Sequence, residues 1–412
     1  MESQGEGKSR NSNGEPEPEK TAPTTMTTTT INPNPRLQSY YASLESVLGY
    51  DVLLGGTRHF GYYDGDGDRH AAAAAAGYNP FPISRALRRM EEELFRALRL
   101  RDNGGGSSGG GAPRVLDAGC GYGHVARYMV RKGVRVTGID VVERHVRKAR
   151  ETAAKEDARR KKEKEGKKGG RKKKGEGEKE GEKEGEKEGE GQGEGEGELE
   201  VRLMDYHHLE GLVDESFDAV YTMETLVHAT DPERVLRGFF RVLKPGGRIA
   251  MHEYDNVLEE VEAEAEGRKG EENNKAKRDG ENDKEKEKEK EEKRTPGKDL
   301  QRRMRQVNEW SAMPTNAISS PGAFERMLEE AGFVDVEVRD LSAHIRPMTR
   351  LFYVLAIIPF YVVSLLGLER YFVNTVAGVG AYRGYGFWRY VQVRARKPGV
   401  GALVEEEGGE EG

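Results

Sequence analysis

The stretch RVLDAGCGYGHVARYMVRKGVRVTGID, residues 114–140, reads as strand, glycine turn, helix, strand and terminal carboxylate, the opening of a nucleotide-binding βαβ unit. Its glycines, Gly119, Gly121 and Gly123, stand two apart. A dinucleotide fingerprint G-x-G-x-x-G needs its third glycine one place later, where this chain has His124. The spacing therefore favours a compact adenosine derivative without a pyrophosphate. A glycine turn can press its backbone against such a ligand, and Asp140, at the tip of the second strand, can accept hydrogen bonds from ribose hydroxyls.

The register continues downstream. VRLMDYHHL (201–209) reads as a third strand and turn, FDAVYTMETLVHATDP (217–232) as a fourth strand and loop, and FFRVLKPGGRIAMHEYD (239–255) as helix, glycine turn and fifth strand. With residues 114–140, these four signatures in order resemble the class I S-adenosylmethionine (SAM) methyltransferases, of the type 11-like kind. The resemblance implies an α/β, Rossmann-like fold with a seven-stranded sheet, SAM as cofactor, and no metal. It also implies roles: Asp117 and the turn Gly119, Cys120, Gly121 and Gly123 at the methionine end, Asp140 with Val141 at the ribose, Asp205 with Tyr206 at the adenine, and Glu224 at the edge of the cofactor site. Outside the cofactor half, the segment YTMETLVHATDP resembles the sterol side-chain methyltransferases, with Glu224 and His228 on the matching acid and histidine. RHFGYY (58–63) is similar to a turn of the tocopherol methyltransferases. The tyrosine-rich acidic motif of the sterol enzymes is not reproduced over residues 45–63.

Of the 412 residues, 34% are charged and 53 are glycine, concentrated where no core can form. Residues 1–35 read as a disordered tail and 399–412 as an acidic one. Residues 159–198, with a GEKE repeat, and 256–298, with KEKEKEKEKEEK, read as solvated insertions. Setting aside the N-terminal tail and both insertions leaves about 290 residues for a lid and linker (36–112), a SAM-binding core in two parts (113–158 and 199–255) and a C-terminal substrate region (299–398). The Lys-rich half of the first tract invites a nucleic-acid reading, but its Glu-rich neighbour cancels the field and the chain carries a net charge of −6, so no nucleic-acid partner is expected. A single cysteine, Cys120, allows no internal disulfide, and the N-terminus lacks a secretory pattern; a reducing, cytoplasmic setting is expected, with peripheral attachment to the endoplasmic reticulum or another membrane left open. Between two glycines, Cys120 reads as a packing residue.

Upstream, SRALRRMEEELFRALRL (84–100) predicts an amphipathic helix capped by Ser84, with Leu87, Met90, Leu94 and Leu98 on its core face. The aromatic, glycine-rich segment 40–66 suits a closing lid, although Phe60, Tyr62 and Tyr63 serve equally well as packing. Asp64, Asp66 and Asp68 mimic a calcium loop, but Arg69 replaces its turn glycine and Ala75 its bidentate acid.

Residues 323–342 read as helix and strand. LFYVLAIIPFYVVSLLGL (351–368) follows without a charge, near the lower limit for a membrane span and with Pro359 interrupting its middle. An interfacial or substrate-facing hairpin, a span and a core helix are all open. YRGYGFWRYVQVRARKP (382–398), read as a strand returning to the sheet, argues against the span. Arg346, Arg350 and Arg370 fit lipid headgroups or snorkelling from a core helix.

Methyl transfer from a sulfonium is in line and disperses positive charge, so the protein mainly has to hold acceptor and methyl collinear and dry. His59, Tyr63, Glu224 and His228 are the candidate catalytic groups, as proton acceptors or cation-stabilising faces; Tyr62 is a further face. The leading expectation is methyl transfer to a sterol or other isoprenoid-like lipid. Tailoring of a polar secondary metabolite by O-, N- or C-methylation and a non-enzymatic binder on the same fold remain alternatives, and an NAD-dependent oxidoreductase is disfavoured by the glycine spacing.

Overall fold

The computed structural model describes residues 34–63, 82–100, 111–171, 197–256 and 296–399. Asn34 caps the first helix, α1 (Pro35–Ala42), by accepting from the Leu37 amide at 3.2 Å, and Ser43 caps α2 (Leu44–Leu48) in the same way. After one π-helical turn, Gly49–Leu53, the chain runs irregularly to residue 63. Helix α3 (Ile83–Ala97) buries Leu87, Met90 and Leu94, and Leu98 follows on the same face. Its cap differs from expectation: Pro82 occupies the N-cap with no side-chain bond, and Ser84 lies inside the helix. Proline's fixed φ can start a helix without a capping hydroxyl.

The seven strands are β1 (Arg114–Ala118), β2 (Arg135–Asp140), β3 (Leu199–Leu203), β4 (Phe217–Met223), β5 (Leu243–Asn256), β6 (Val334–Asp340) and β7 (Trp388–Arg396). They form one sheet in the order β3-β2-β1-β4-β5-β7-β6. The first five run parallel, and β7 inserts antiparallel between β5 and β6. Strands β1, β2 and β4 are buried nearly throughout, as strands covered on both faces must be. On one face α6 (Pro232–Val242) and α9 (Ala323–Glu330) bring Leu236, Phe239, Phe324 and Leu328 onto Leu116, Val220 and Ile249. On the other, α3 and α4 (His124–Arg131) pack Met90, Leu94 and Met129 on Val115, Tyr221 and Ala250.

Helix α5 (Glu143–Arg171) runs past residue 159, so the first charged insertion begins as a continuation of the crossover helix. Lys, Glu and Arg are good helix formers, which explains the extension. Likewise β5 runs through Asn256, and α7 (Pro296–Trp310) starts before the expected end of the second insertion. The tail 1–33, the Asp64–Asp68 segment, residues 172–196 and 257–295, and the terminus from 400 lie outside the described residues.

After α8 (Pro314–Ile318), α9 and β6, the apolar segment forms part of one long helix, α10 (Ser342–Leu365), followed by α11 (Val373–Arg383). Pro359 does not interrupt α10, contrary to expectation: Pro347 and Pro359 both lie inside it. Proline deletes one amide donor per site, yet the helix continues through both and lies against α11. A Cβ on Gly378 of α11 would stand 3.4 Å from the Ala356 Cβ and 3.5 Å from the Phe352 carbonyl. The hairpin is therefore α10 with α11, capping the sheet beside the lid.

Candidate active site

In a doubly wound sheet, ligands bind beyond the carboxyl ends of the strands where the order reverses, here between β1 and β4. Gly119 (φ +105°), Gly121 (φ +51°) and Gly123 (φ +73°) turn the chain off β1 in left-handed backbone. Thr225, just past β4, donates its hydroxyl to the Ala118 carbonyl at 2.7 Å and closes the turn from the other side.

Asp140 anchors the turn. One carboxylate oxygen accepts from the Val142 amide at 2.8 Å; the other accepts from the Gly121 amide at 2.8 Å and faces His145 Nδ1 at 3.3 Å. Burial works against its charge, but His145 and the two amides outweigh burial and hold the carboxyl below its ordinary value. Three of about four acceptor positions are thus used, leaving room for a ribose hydroxyl. Asp117 is pushed up to about 7 by burial, partly relieved by the Tyr221 hydroxyl at 2.7 Å. A ligand ammonium would supply its missing counter-charge.

A narrow cleft spans this turn. Asp117, Gly119, Cys120, Gly121, Asp140, Val141, Tyr206 and Glu224 line it, with His59 and His228. Gly123 and Asp205 do not: Gly123 forms the N-cap of α4, and the Asp205 carboxylate is taken by His207 at 2.7 Å. Cys120 is buried and packs near Gly138, and burial raises its thiol well above the ordinary range. Tyr63 sits in a small apolar cluster with Leu87 and Met348, and Tyr62 stacks on His344 with centroids 4.2 Å apart; neither borders the cleft or the larger cavity described below.

The lid closes on the cleft through Tyr41. Its hydroxyl lies 2.9 Å from His228 Nε2, while His228 Nδ1 is 2.8 Å from the Ala312 carbonyl. Burial lowers His228 to about 4, so the ring is neutral: Nδ1 donates to the carbonyl and Nε2 accepts from Tyr41. Both nitrogens are occupied, which makes His228 a latch between core and lid and leaves neither to act directly as a base.

Sequence reasoning passed over Arg58, which borders both spaces. Its guanidinium lies 4.4 Å from the Tyr122 ring, 4.8 Å from Tyr50 and 5.2 Å from Tyr41, and Nε and Nη1 have no hydrogen-bond partner. A half-buried cation with two buried, unused donor atoms fits a ligand carboxylate. His145 Nε2 also has no hydrogen-bond partner at the cleft, and His59 Nε2 has only the longer contact to Glu91 at 3.9 Å. The glycine cradle, the partly used Asp140 and these open donors match an amino-acid-bearing nucleoside.

Beyond Glu224 the cleft meets a cavity of about 1400 Å³, walled by lid, α7, α10, α11 and the end of β5, and lined mainly by apolar side chains including Phe60, Phe352, Phe360 and Trp388. Glu224 stands at the boundary in left-handed backbone (φ +56°). Its carboxylate accepts from the Phe60 amide at 2.7 Å, the Tyr390 hydroxyl at 2.9 Å and the Tyr254 hydroxyl. Burial raises its pKa, opposed by these donors. His59 donates Nδ1–H to the Phe60 carbonyl at 2.8 Å and faces Glu91 at 3.9 Å; burial lowers its pKa, but Glu91 dominates and the net shift is upward.

A family profile described as a methyltransferase domain matches residues 83–338. An S-adenosyl-L-methionine-dependent Diels-Alderase of Talaromyces variabilis is 35% identical over 88% of this chain and 94% of its own. The chain belongs to the methyltransferase-domain family. A second SAM-dependent Diels-Alderase, from Neonectria sp., is 35% identical over 73% of this chain and 83% of its own. Among solved structures, a cyclopropane synthase of Mycobacterium tuberculosis superposes with a TM-score of 0.54 at 12% identity, covering 88% of this chain and 98% of that one, and shares the class I methyltransferase fold. This family member is a SAM-dependent enzyme. When bound, SAM would supply a sulfonium cation; the turn after β1 and Asp140, with Arg58 toward its carboxylate, are the residues that would hold it.

Glu253 fixes the loop carrying Thr225 and Glu224. One carboxylate oxygen accepts from the Thr222 hydroxyl at 2.7 Å, the Leu226 amide at 3.0 Å and the Thr225 amide at 3.3 Å, while the other has no partner. Burial raises Glu253 to about 7 despite these donors. A carboxyl with a raised folded-state pKa contributes stability that is full below its unfolded value and lost as pH rises through the folded one. Melting curves between pH 5 and 8 should therefore show wild type losing stability relative to Glu253→Gln, by about 1–3 kcal/mol. A constant difference across that range would place Glu253 in an ordinary solvated environment.

Proposed function

We propose that this enzyme binds SAM in the cleft and closes a ring within one large apolar polyene held in the adjoining cavity, by intramolecular [4+2] cycloaddition. The observation that carries the reading is the end-to-end likeness to the Talaromyces variabilis Diels-Alderase. The cavity supports it: about 1400 Å³ exceeds the ~300–1,000 Å³ of common small-molecule sites, and its apolar walls suit a long hydrocarbon chain. In such a closure three π bonds become one π and two σ bonds within one molecule, and no proton or leaving group departs. Apolar walls contribute by holding diene and dienophile in contact, removing the entropy of the open chain. Arg58, at the cofactor end of the cavity, has unused donors and can donate to a carbonyl conjugated with the dienophile and draw electron density from it.

Methyl transfer to an apolar acceptor, a sterol or isoprenoid included, is the second reading. It is favoured by Glu224, a half-buried carboxylate between cleft and cavity, positioned to take a proton from a methylated alkene. Mass spectrometry separates the two when the enzyme, SAM and an organic extract of the source organism are incubated together. A product isomeric with its precursor, with SAM recovered intact, supports cyclisation. A product heavier by one methylene, with stoichiometric S-adenosylhomocysteine, overturns it in favour of methyl transfer.

A further inference from the structure

The cavity opens to the outside through an apolar rim. On the lid side Leu44 and Val52 are 74% and 71% exposed, and Leu48 and Leu53 are exposed beside them; all four also line the cavity. Across the mouth, Leu355, Tyr361, Tyr371 and Phe372 are both exposed and cavity-lining. Val354, Ile358, Val362 and Leu365 recur along α10 at helical spacing and extend the patch, with Ile358 at 75% and Leu365 at 86% exposed. This is more apolar surface than scattered hydrophobic residues provide, and it marks an interaction site.

The exposed charges set against its aromatic rings are basic. Arg303 and Arg383 line the mouth, each beside an aromatic ring, and Arg370 lies over the Tyr371 ring at 4.5 Å. Of the nearby acids, Asp299 faces Arg302 and Glu45 accepts from the amides of Asn374 and Thr375, while Glu369 adjoins Arg370 in the same turn. Helix α10 is long and apolar enough to cross a bilayer, but Met348, Phe360 and Val363 tie it to the protein, and β7 after α11 returns into the sheet. An amphipathic surface anchored this way lies in the headgroup plane.

We infer that the rim formed by α2, α10 and the turn before α11 docks on an anionic lipid surface, with Arg303, Arg370 and Arg383 against headgroups, so that apolar substrate passes from the bilayer directly into the cavity. A second copy of the chain fits less well, because a two-fold pairing of this patch would bring the same arginines face to face. The inference is independent of which reaction the enzyme performs.

Flotation of the full chain with phosphatidylcholine vesicles, with and without phosphatidylserine, tests it. Wild type should float with the phosphatidylserine vesicles, and less so at high salt. Ile358→Glu with Leu365→Glu should lower the bound fraction at least about tenfold on both vesicle types, and Arg370→Glu with Arg383→Glu should lower it on the anionic vesicles. Calorimetric SAM binding unchanged in each variant shows that it is folded. No flotation of wild type, or equal flotation of the Ile358/Leu365 variant, overturns the inference. So does wild type that fails to float while forming a dimer which the same variant dissolves, since the patch would then be a self-interface.

Discussion

Replacing Gly119 with alanine should lower SAM affinity by at least about 100-fold, equivalent to about 2.8 kcal/mol. Two independent costs combine. The backbone sits at φ +105°, where any Cβ adds roughly 1–2 kcal/mol of strain. The new methyl would also stand 2.6 Å from Thr225 Cβ and Cγ2 and 2.8 Å from its hydroxyl, and that hydroxyl is fixed by its bond to the Ala118 carbonyl. Relief requires moving either the turn or the loop that carries Glu224, both of which border the cleft. Gly246→Ala is the matched control. It too has positive φ (+77°), but no atom lies within 4 Å of the added carbon, so it should lose about 1 kcal/mol of stability and keep its SAM affinity. Calorimetry on both variants, with melting temperatures alongside, separates seating of the cofactor from general strain. Near-wild-type affinity in Gly119→Ala would mean that this turn does not hold SAM.

The second large effect concerns the cavity. Gly380 lines it from α11, in ordinary helical backbone, and a Cβ there would meet nothing within 4 Å. Gly380→Trp should place an indole in the cavity mouth without strain and should gain a few tenths of a kcal/mol in helix propensity. Binding of an apolar, environment-sensitive fluorophore should weaken at least about tenfold, and turnover of the natural substrate should fall with it, while SAM affinity and melting temperature hold. Undiminished fluorophore binding would show that the apolar ligand sits elsewhere.

The cofactor half was legible because its chemistry is local. Gly119, Gly121 and Asp140 lie within 22 consecutive residues, and their spacing alone separates this turn from a dinucleotide site. The apolar pattern of α3 and the charge-free stretch of α10 announced themselves equally well. The substrate half was harder, because its residues come from segments far apart in sequence: Arg58 from the lid, Tyr254 from β5, and Phe352 and Gly380 from the α10–α11 hairpin. Arg58 adjoins His59 and Phe60 in a segment already read as a lid, but nothing local says that a guanidinium will be left with unused donors. Tyr254 could have been found from topology, since it lies near the carboxyl end of β5, just past its last parallel pairing with β4. Tyr63 was misleading for the opposite reason: aromatic residues in a glycine-rich stretch look alike whether they border a ligand or fill a gap. The helical continuation through residues 159–171 was masked by composition, because Lys and Glu favour helix and solvation alike.

The clasp between Tyr41 and His228 has a kinetic corollary. The same short N-terminal stretch forms a wall of both chambers, so releasing it to exchange the nucleoside also disturbs the neighbouring apolar cavity. A catalyst that consumes its nucleoside has to undo that clasp every cycle. One that merely borrows its charge can keep the nucleoside as a long-term tenant and admit successive guests through the separate greasy doorway.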